Sequence, residues 1–136
     1  MSEPFRHPLR VRFHECDPQG VVFNANFLAY ADITVTELYR EAFGSWQAAM
    51  DEGGIDMVVA EANVRYLAPL RFDEEVELVA SVTRIGTTAT TTLVAVEREG
   101  EPVAEVTLRH VVVDPETRAK APIPNALRAG LERYAA

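Results

Sequence analysis

The sequence predicts an α+β domain in which one antiparallel sheet packs around a single long helix. Three observations carry that reading: helical periodicity over Phe27 to Phe43, β-branched stretches with two-residue alternation after it, and short glycine turns between the later stretches. Short connections favour antiparallel neighbours, because parallel strands need a crossover of a dozen or more residues.

The first strand is expected in "LRVRFHECD", where Leu9, Val11 and Phe13 point one way and Arg10, Arg12 and His14 the other. Pro18 and Gly20 end it. In the helix, Phe27, Ala31, Val35, Leu38 and Ala42 recur at helical spacing, while Thr36, Glu37, Arg40 and Glu41 supply polar faces. Leu28, Tyr30, Ile33 and Tyr39 widen the apolar surface beyond one stripe, as suits a helix lying on a broad sheet, and Gly44 is the stop. "SWQAAMDEGG" reads as a short helical connection.

In "DMVVAEANVRYL" every even position from Val58 to Tyr66 is apolar, which predicts a core face, and Glu61, Asn63 and Arg65 share the other face. Three more strands are expected over 75–86, 88–99 and 102–114, with turns at Gly86 and Gly100. "IPNALRAGLERYAA" predicts a last helix starting near Pro124 or Asn125. No repeat, linker or low-complexity segment interrupts the pattern; the Thr run at 90–92 is a β-branched strand.

A chain of 136 residues has room for one domain, 1–136. Its 48% hydrophobic and 25% charged residues are those of a folded globular protein and not of a disordered one. Acidic residues outnumber basic ones 21 to 13, for a net charge of -8, which argues against nucleic acid and anionic membrane as partners. The first ten residues hold no apolar signal core, and no window approaches the roughly 18 apolar residues of a membrane span. A cytoplasmic protein is expected. The single cysteine, Cys16, can form no internal disulfide.

The chemistry concentrates in "ECDPQGVVFNANFLAYAD". Asp17 ends the expected strand in front of a Pro-x-Gly turn, and the first helical turn follows at Asn24 to Phe27. Free N–H groups at a helix start carry partial positive charge and can receive an oxyanion. A carboxylate beside them supplies a base or nucleophile together with a stabiliser for a tetrahedral intermediate. Local chemistry alone leaves a plainer alternative open, in which Asp17 makes an Asx-turn and Asn24 caps the helix.

The same stretch closely resembles the signature of the 4-hydroxybenzoyl-CoA thioesterase-like acyl-CoA thioesterases of the hotdog fold. Asp17, Gly20, Val21, Val22, Phe23, Asn26 and Phe27 match its Asp-x-x-Gly-(Val/Ile)-Val-aromatic-x-x-Asn-aromatic pattern. The resemblance implies a five-stranded antiparallel sheet wrapped around a long central helix, and hydrolysis of an acyl-CoA thioester. Asp17 is then the nucleophile or base, the backbone N–H of Asn24 the oxyanion donor, and Gly20 the residue that permits close backbone approach. Val22, Phe23, Asn26 and Phe27 lie at the substrate, with Asn26 locking the loop to the helix through its side-chain amide.

The resemblance implies no metal or redox cofactor, coenzyme A entering only as part of the substrate, and assembly into a homodimer or homotetramer. Glu61 and Asn63, on a strand that can border the site in this fold, are candidate substrate contacts, the alternative being a solvated or subunit-facing polar row. The family's basic nucleotide-binding loop is replaced by "RIGTTAT", so the nucleotide contacts fall to Arg84 and Arg98, with Arg109 a further candidate. An acyl carrier protein is the alternative carrier. The competing functions are a hydratase or dehydratase on the same fold and a non-catalytic acyl-thioester binder. His14 and Cys16 lack the paired spacing of a metal motif, and His7 and His110 are expected to be strand histidines satisfied by packing and one hydrogen bond.

Overall fold

The computed structural model describes residues 2–136. The chain forms β1 (Phe5–Arg10), α1 (Asn26–Phe43), α2 (Trp46–Gly53), β2 (Asp56–Tyr66), β3 (Glu75–Ile85), β4 (Ala89–Arg98), β5 (Glu101–Val113) and α3 (Asn125–Glu132). The five strands make one antiparallel sheet in the order β1-β3-β4-β5-β2. Helix α1 lies against β1, β2, β3 and β5, and the expected hotdog architecture is the one found.

The core follows from alternation along the central strands. Thr90, Thr92, Val94 and Val96 of β4 are buried, and they pair with His110, Leu108, Val106 and Ala104 of β5, which are buried too. Directly opposed residues share a sheet face, so these eight face α1. From the helix, Phe27, Tyr30, Ala31, Thr34, Val35, Leu38 and Tyr39 meet them. Burying a side chain such as Leu38 contributes about 1.5–3 kcal/mol. Leu28, expected to widen the apolar face, is 42% exposed on the far side of the helix.

Glu99 and Gly100 both have positive φ and form a two-residue hairpin between β4 and β5, the conformation whose twist matches that of paired strands. Helix α2 starts at Ser45, whose hydroxyl accepts from the Ala48 N–H at 2.9 Å.

Two expectations fail at the sheet edges. The first strand is Phe5–Arg10 and not the stretch from Leu9; Phe13 and His14 sit on a short 3-10 turn, Phe13–Glu15, and Phe13 is exposed. Pro8 lies within this strand, which is tolerated because β1 is an edge, where a missing N–H breaks no necessary ladder bond. The turn is then fixed by Glu15, whose carboxylate accepts the Arg12 N–H at 2.7 Å.

In β2 the even positions face α1 only from Ala62 onward, and they are not buried as a core face. A bulge between Val59 and Glu61 shifts the register, so Met57 and Val59 face α1 before it and Ala62, Val64 and Tyr66 after it. The strand is the other edge of the sheet, and Val59 and Tyr66 stay half exposed for want of a neighbour.

Candidate active site

Asp17 lies in a loop pinned at both ends. Its own N–H donates to Val21 O and the Gly20 N–H to Asp17 O, both at 2.9 Å, and Gly20 closes this turn at φ +82°. A Cβ on Gly20 would meet nothing within 4 Å, so glycine is required by the left-handed backbone and not, as expected, by close approach. One carboxylate oxygen of Asp17 accepts the Gln19 N–H at 2.8 Å, making the Asx-turn of the plainer alternative. The other oxygen has no partner among the described residues. The turn therefore holds the carboxylate without consuming it.

The loop is tied to the helix through Glu15. Its backbone carbonyl accepts the Phe23 N–H at 2.9 Å and the Asn26 side-chain amide at 2.8 Å. Its carboxylate accepts the Tyr30 hydroxyl at 2.9 Å, and burial together with that bond pushes the Tyr30 hydroxyl pKa well above its ordinary value. Sequence reasoning assigned no part to Glu15 or Tyr30. The signal was the tyrosine one helical turn beyond Asn26, on a buried face, where a phenol needs a partner.

At the start of α1 the N–H groups of Asn26, Phe27 and Leu28 turn back onto Phe23, Asn24 and Ala25. The N–H groups of Asn24 and Ala25 have no acceptor among the described residues. Asn24 is held from the other side by the Tyr66 hydroxyl, which donates to its carbonyl at 3.1 Å. Tyr66 also packs its ring edge-to-face on Phe27, with centroids 5.7 Å apart. Beside them runs an open groove of about 320 Å³, bounded by Val21, Asn24, Phe27, Tyr66, Leu67 and Leu70. Val22 is buried under this groove and Phe23 is half exposed outside it. Tyr66 is a third contributor that sequence reasoning missed, because the residue it touches is 42 positions away.

The remaining expected site residues are dispersed. Glu61 pairs with Arg109 and Asn63 with Thr107 on the sheet face turned away from α1, so within this chain neither reaches the groove. The β2 bulge and its antiparallel register decide that. Arg98 donates to Pro69 O at 2.9 Å and to Glu74 at 3.0 Å, so it braces the loop behind the groove and is not a free cation. Arg84 and Arg109 line a separate pocket of about 260 Å³ with Thr87, Thr88 and Thr91, and neither has an ion-pair partner among the described residues. His7 stacks on Phe5 at the β1 edge. His14 is exposed and Cys16 partly buried, on and just after the 3-10 turn, and burial raises the Cys16 thiol pKa above its ordinary value.

A carboxylate with one free oxygen, two unpaired N–H groups at a helix start and an apolar groove suit attack on a carbonyl followed by oxyanion stabilisation. The profile of the thioesterase-like superfamily matches residues 11–131. The acyl-CoA thioester hydrolase YbgC of Escherichia coli O6:H1 is 32% identical over 126 residues, covering 92% of this chain and 93% of that protein. The crystal structure of a Pseudomonas aeruginosa protein superposes with a TM-score of 0.86 at 27% identity, over 97% of this chain and 92% of that one. A thioesterase superfamily structure from Jannaschia sp. CCS1 shares the fold with a TM-score of 0.89 at 19% identity, over 98% and 94% of the two chains. This chain belongs to the thioesterase-like superfamily.

Proposed function

We propose that the protein hydrolyses an acyl-CoA thioester to a free acid and coenzyme A. The observation that carries the reading is the pair of unpaired N–H groups at Asn24 and Ala25 beside the pinned Asp17 loop. The thioester carbonyl points its oxygen at the Asn24 N–H. Asp17 either attacks the carbonyl carbon to give a mixed anhydride that water then cleaves, or removes a proton from the attacking water. In both routes the C–S bond breaks and the thiolate leaves and takes up a proton. The free acid takes its new oxygen from water in the base route, and from Asp17 in the anhydride route, where water cleaves the anhydride at the Asp17 carbonyl carbon and leaves its own oxygen there. Hydrolysis in isotopically labelled water separates the routes, since only the anhydride route leaves label in the Asp17 carboxylate after a single turnover.

The protein acts as a dimer paired along β2. That strand is a sheet edge with an open ladder side and half-exposed Val59 and Tyr66, which a second copy covers. Antiparallel pairing about a two-fold axis at the strand centre sets the Tyr66 end of one copy against the Asp56 end of the other. Each groove is then completed by the neighbouring subunit. The pocket at Arg84 and Arg109 takes the anionic nucleotide end of coenzyme A, its two unpaired guanidinium groups offsetting an overall negative protein.

Free-thiol release from a panel of acyl-CoA thioesters tests the activity. Release abolished in Asp17→Asn supports it; a protein that binds the thioesters without cleaving any is the non-catalytic binder. Interconversion of a 3-hydroxyacyl-CoA and the enoyl-CoA, by loss or gain of water and without thiol release, identifies the hydratase or dehydratase alternative.

A further inference from the structure

A second cavity, of about 420 Å³, opens between α1, α2, β2 and β5 and is bounded by Asp32, Val35, Trp46, Met57, Val59 and His110. His110 is 4% exposed, lies on the α1 side of β5, and packs its ring against Trp46 with centroids 5.9 Å apart. The single hydrogen bond expected for it is missing: neither ring nitrogen has a partner among the described residues. No side-chain nitrogen or oxygen sealed from solvent lacks a partner among those residues, so the unbonded imidazole nitrogens are not sealed and open onto the cavity their own ring lines.

Nitrogens that face a cavity without a protein partner are free to bond a ligand group or water that enters it. The remaining walls narrow the choice. Val35, Trp46, Met57 and Val59 are apolar, and the Thr36 hydroxyl already donates to Asp32 O at 2.9 Å. Burial holds the imidazole pKa below its ordinary value, partly offset by the Asp32 carboxylate, so at neutral pH the ring offers one donor and one acceptor. A hydroxyl both donates and accepts. A carboxylate would meet Asp32 as a like charge.

Asp32 lies six residues beyond Asn26, the first residue of α1, about 9 Å along the helix at 1.5 Å per residue. Pairing two β2 strands about a two-fold runs the two helices in opposite directions, which brings this cavity of one subunit towards the Asn24 turn of the other. Given the thioesterase reading above, on which this inference rests, the cavity receives the far end of the acyl group. We propose that His110 is a specificity residue that selects acyl groups ending in a neutral hydroxyl over those ending in a plain hydrocarbon or a carboxylate.

The test compares para-hydroxyphenylacetyl-CoA with phenylacetyl-CoA, and omega-hydroxyhexanoyl-CoA with hexanoyl-CoA and adipoyl-CoA, in wild type and in His110→Phe and His110→Gln. In at least one series the wild type should favour the hydroxylated substrate by about tenfold to a hundredfold in kcat/KM, the loss expected when a buried polar group stays unpaired. His110→Phe should bring that ratio close to one, and His110→Gln, which keeps a donor and an acceptor, should retain part of it. Circular dichroism confirms that each variant is folded. A wild type indifferent to the hydroxyl in both series, or a His110→Phe that keeps the full preference, overturns the proposal and leaves the thioesterase reading standing. A wild type that cleaves no thioester overturns that reading instead. Calorimetry with the uncleavable thioether analogues of the same pairs then decides for His110, equal affinities overturning it.

Discussion

The side-chain amide of Asn26, on the first turn of α1, donates to the backbone carbonyl of Glu15 at 2.8 Å. Glu15 stands two residues before Asp17, so this bond fixes the distance between the carboxylate loop and the N–H groups of the helix start.

Replacing Asn26 by Asp removes the donor while keeping the shape. The carbonyl of Glu15 retains the Phe23 N–H, so the stability loss should be modest, about 1–2 kcal/mol by urea unfolding. The turnover loss should be larger, at least tenfold in kcat with KM little changed, because a small misplacement of the reacting groups is costly. Full activity in a destabilised variant would show that the bond holds the fold and not the site.

Asp17→Asn should lower kcat by about a hundredfold to ten-thousandfold, the usual worth of a general base. The amide oxygen can still accept the Gln19 N–H, so the melting temperature should stay within a few degrees of wild type. A variant with more than about a tenth of wild-type turnover would move the chemistry to another carboxylate.

Arg84→Ala and Arg109→Ala should raise KM for acyl-CoA by about tenfold each and leave kcat nearly unchanged, since a nucleotide contact is the same in the ground and transition states. On an acyl-pantetheine substrate neither variant should matter. Arg98→Ala should behave differently, lowering stability by about 1 kcal/mol through its lost bonds to Pro69 and Glu74 without a selective effect on KM. Equal use of acyl-CoA and acyl-pantetheine by wild type would point to another carrier.

Sedimentation should give at least twice the 15.1 kDa chain mass. A stable and fully active monomer would rule out a site shared across β2.

His110 also makes stability depend on pH. Its folded pKa lies below its unfolded value because burial penalises the imidazolium, so the unfolded state binds the proton more readily. The stabilisation is complete above the ordinary histidine pKa of about 6.5 and is lost as the pH falls from there through the folded value. Melting temperature against pH should fall more steeply in that window for wild type than for His110→Phe.

The order of elements was legible in the sequence because each signal is local. Phe27 to Leu38 repeat with the helical period, and the central strands β3, β4 and β5 begin and end within a residue of their expected limits. The Asp17 turn was legible for the same reason: Asp, Pro and Gly state their backbone preferences in four consecutive positions. What the tertiary structure decided is neighbourhood. Pro8 can sit in β1 only because that strand is an edge, and the alternation of β2 misled because a bulge and an open ladder side are properties of pairing and not of composition. Tyr66 meets Asn24, and Arg98 is taken up by Glu74, across separations that periodicity does not encode. His110 shows the difference most plainly. Its position on a strand followed from alternation, but only the packing of Trp46 and Met57 around it left its ring nitrogens facing a cavity with no partner among the described residues.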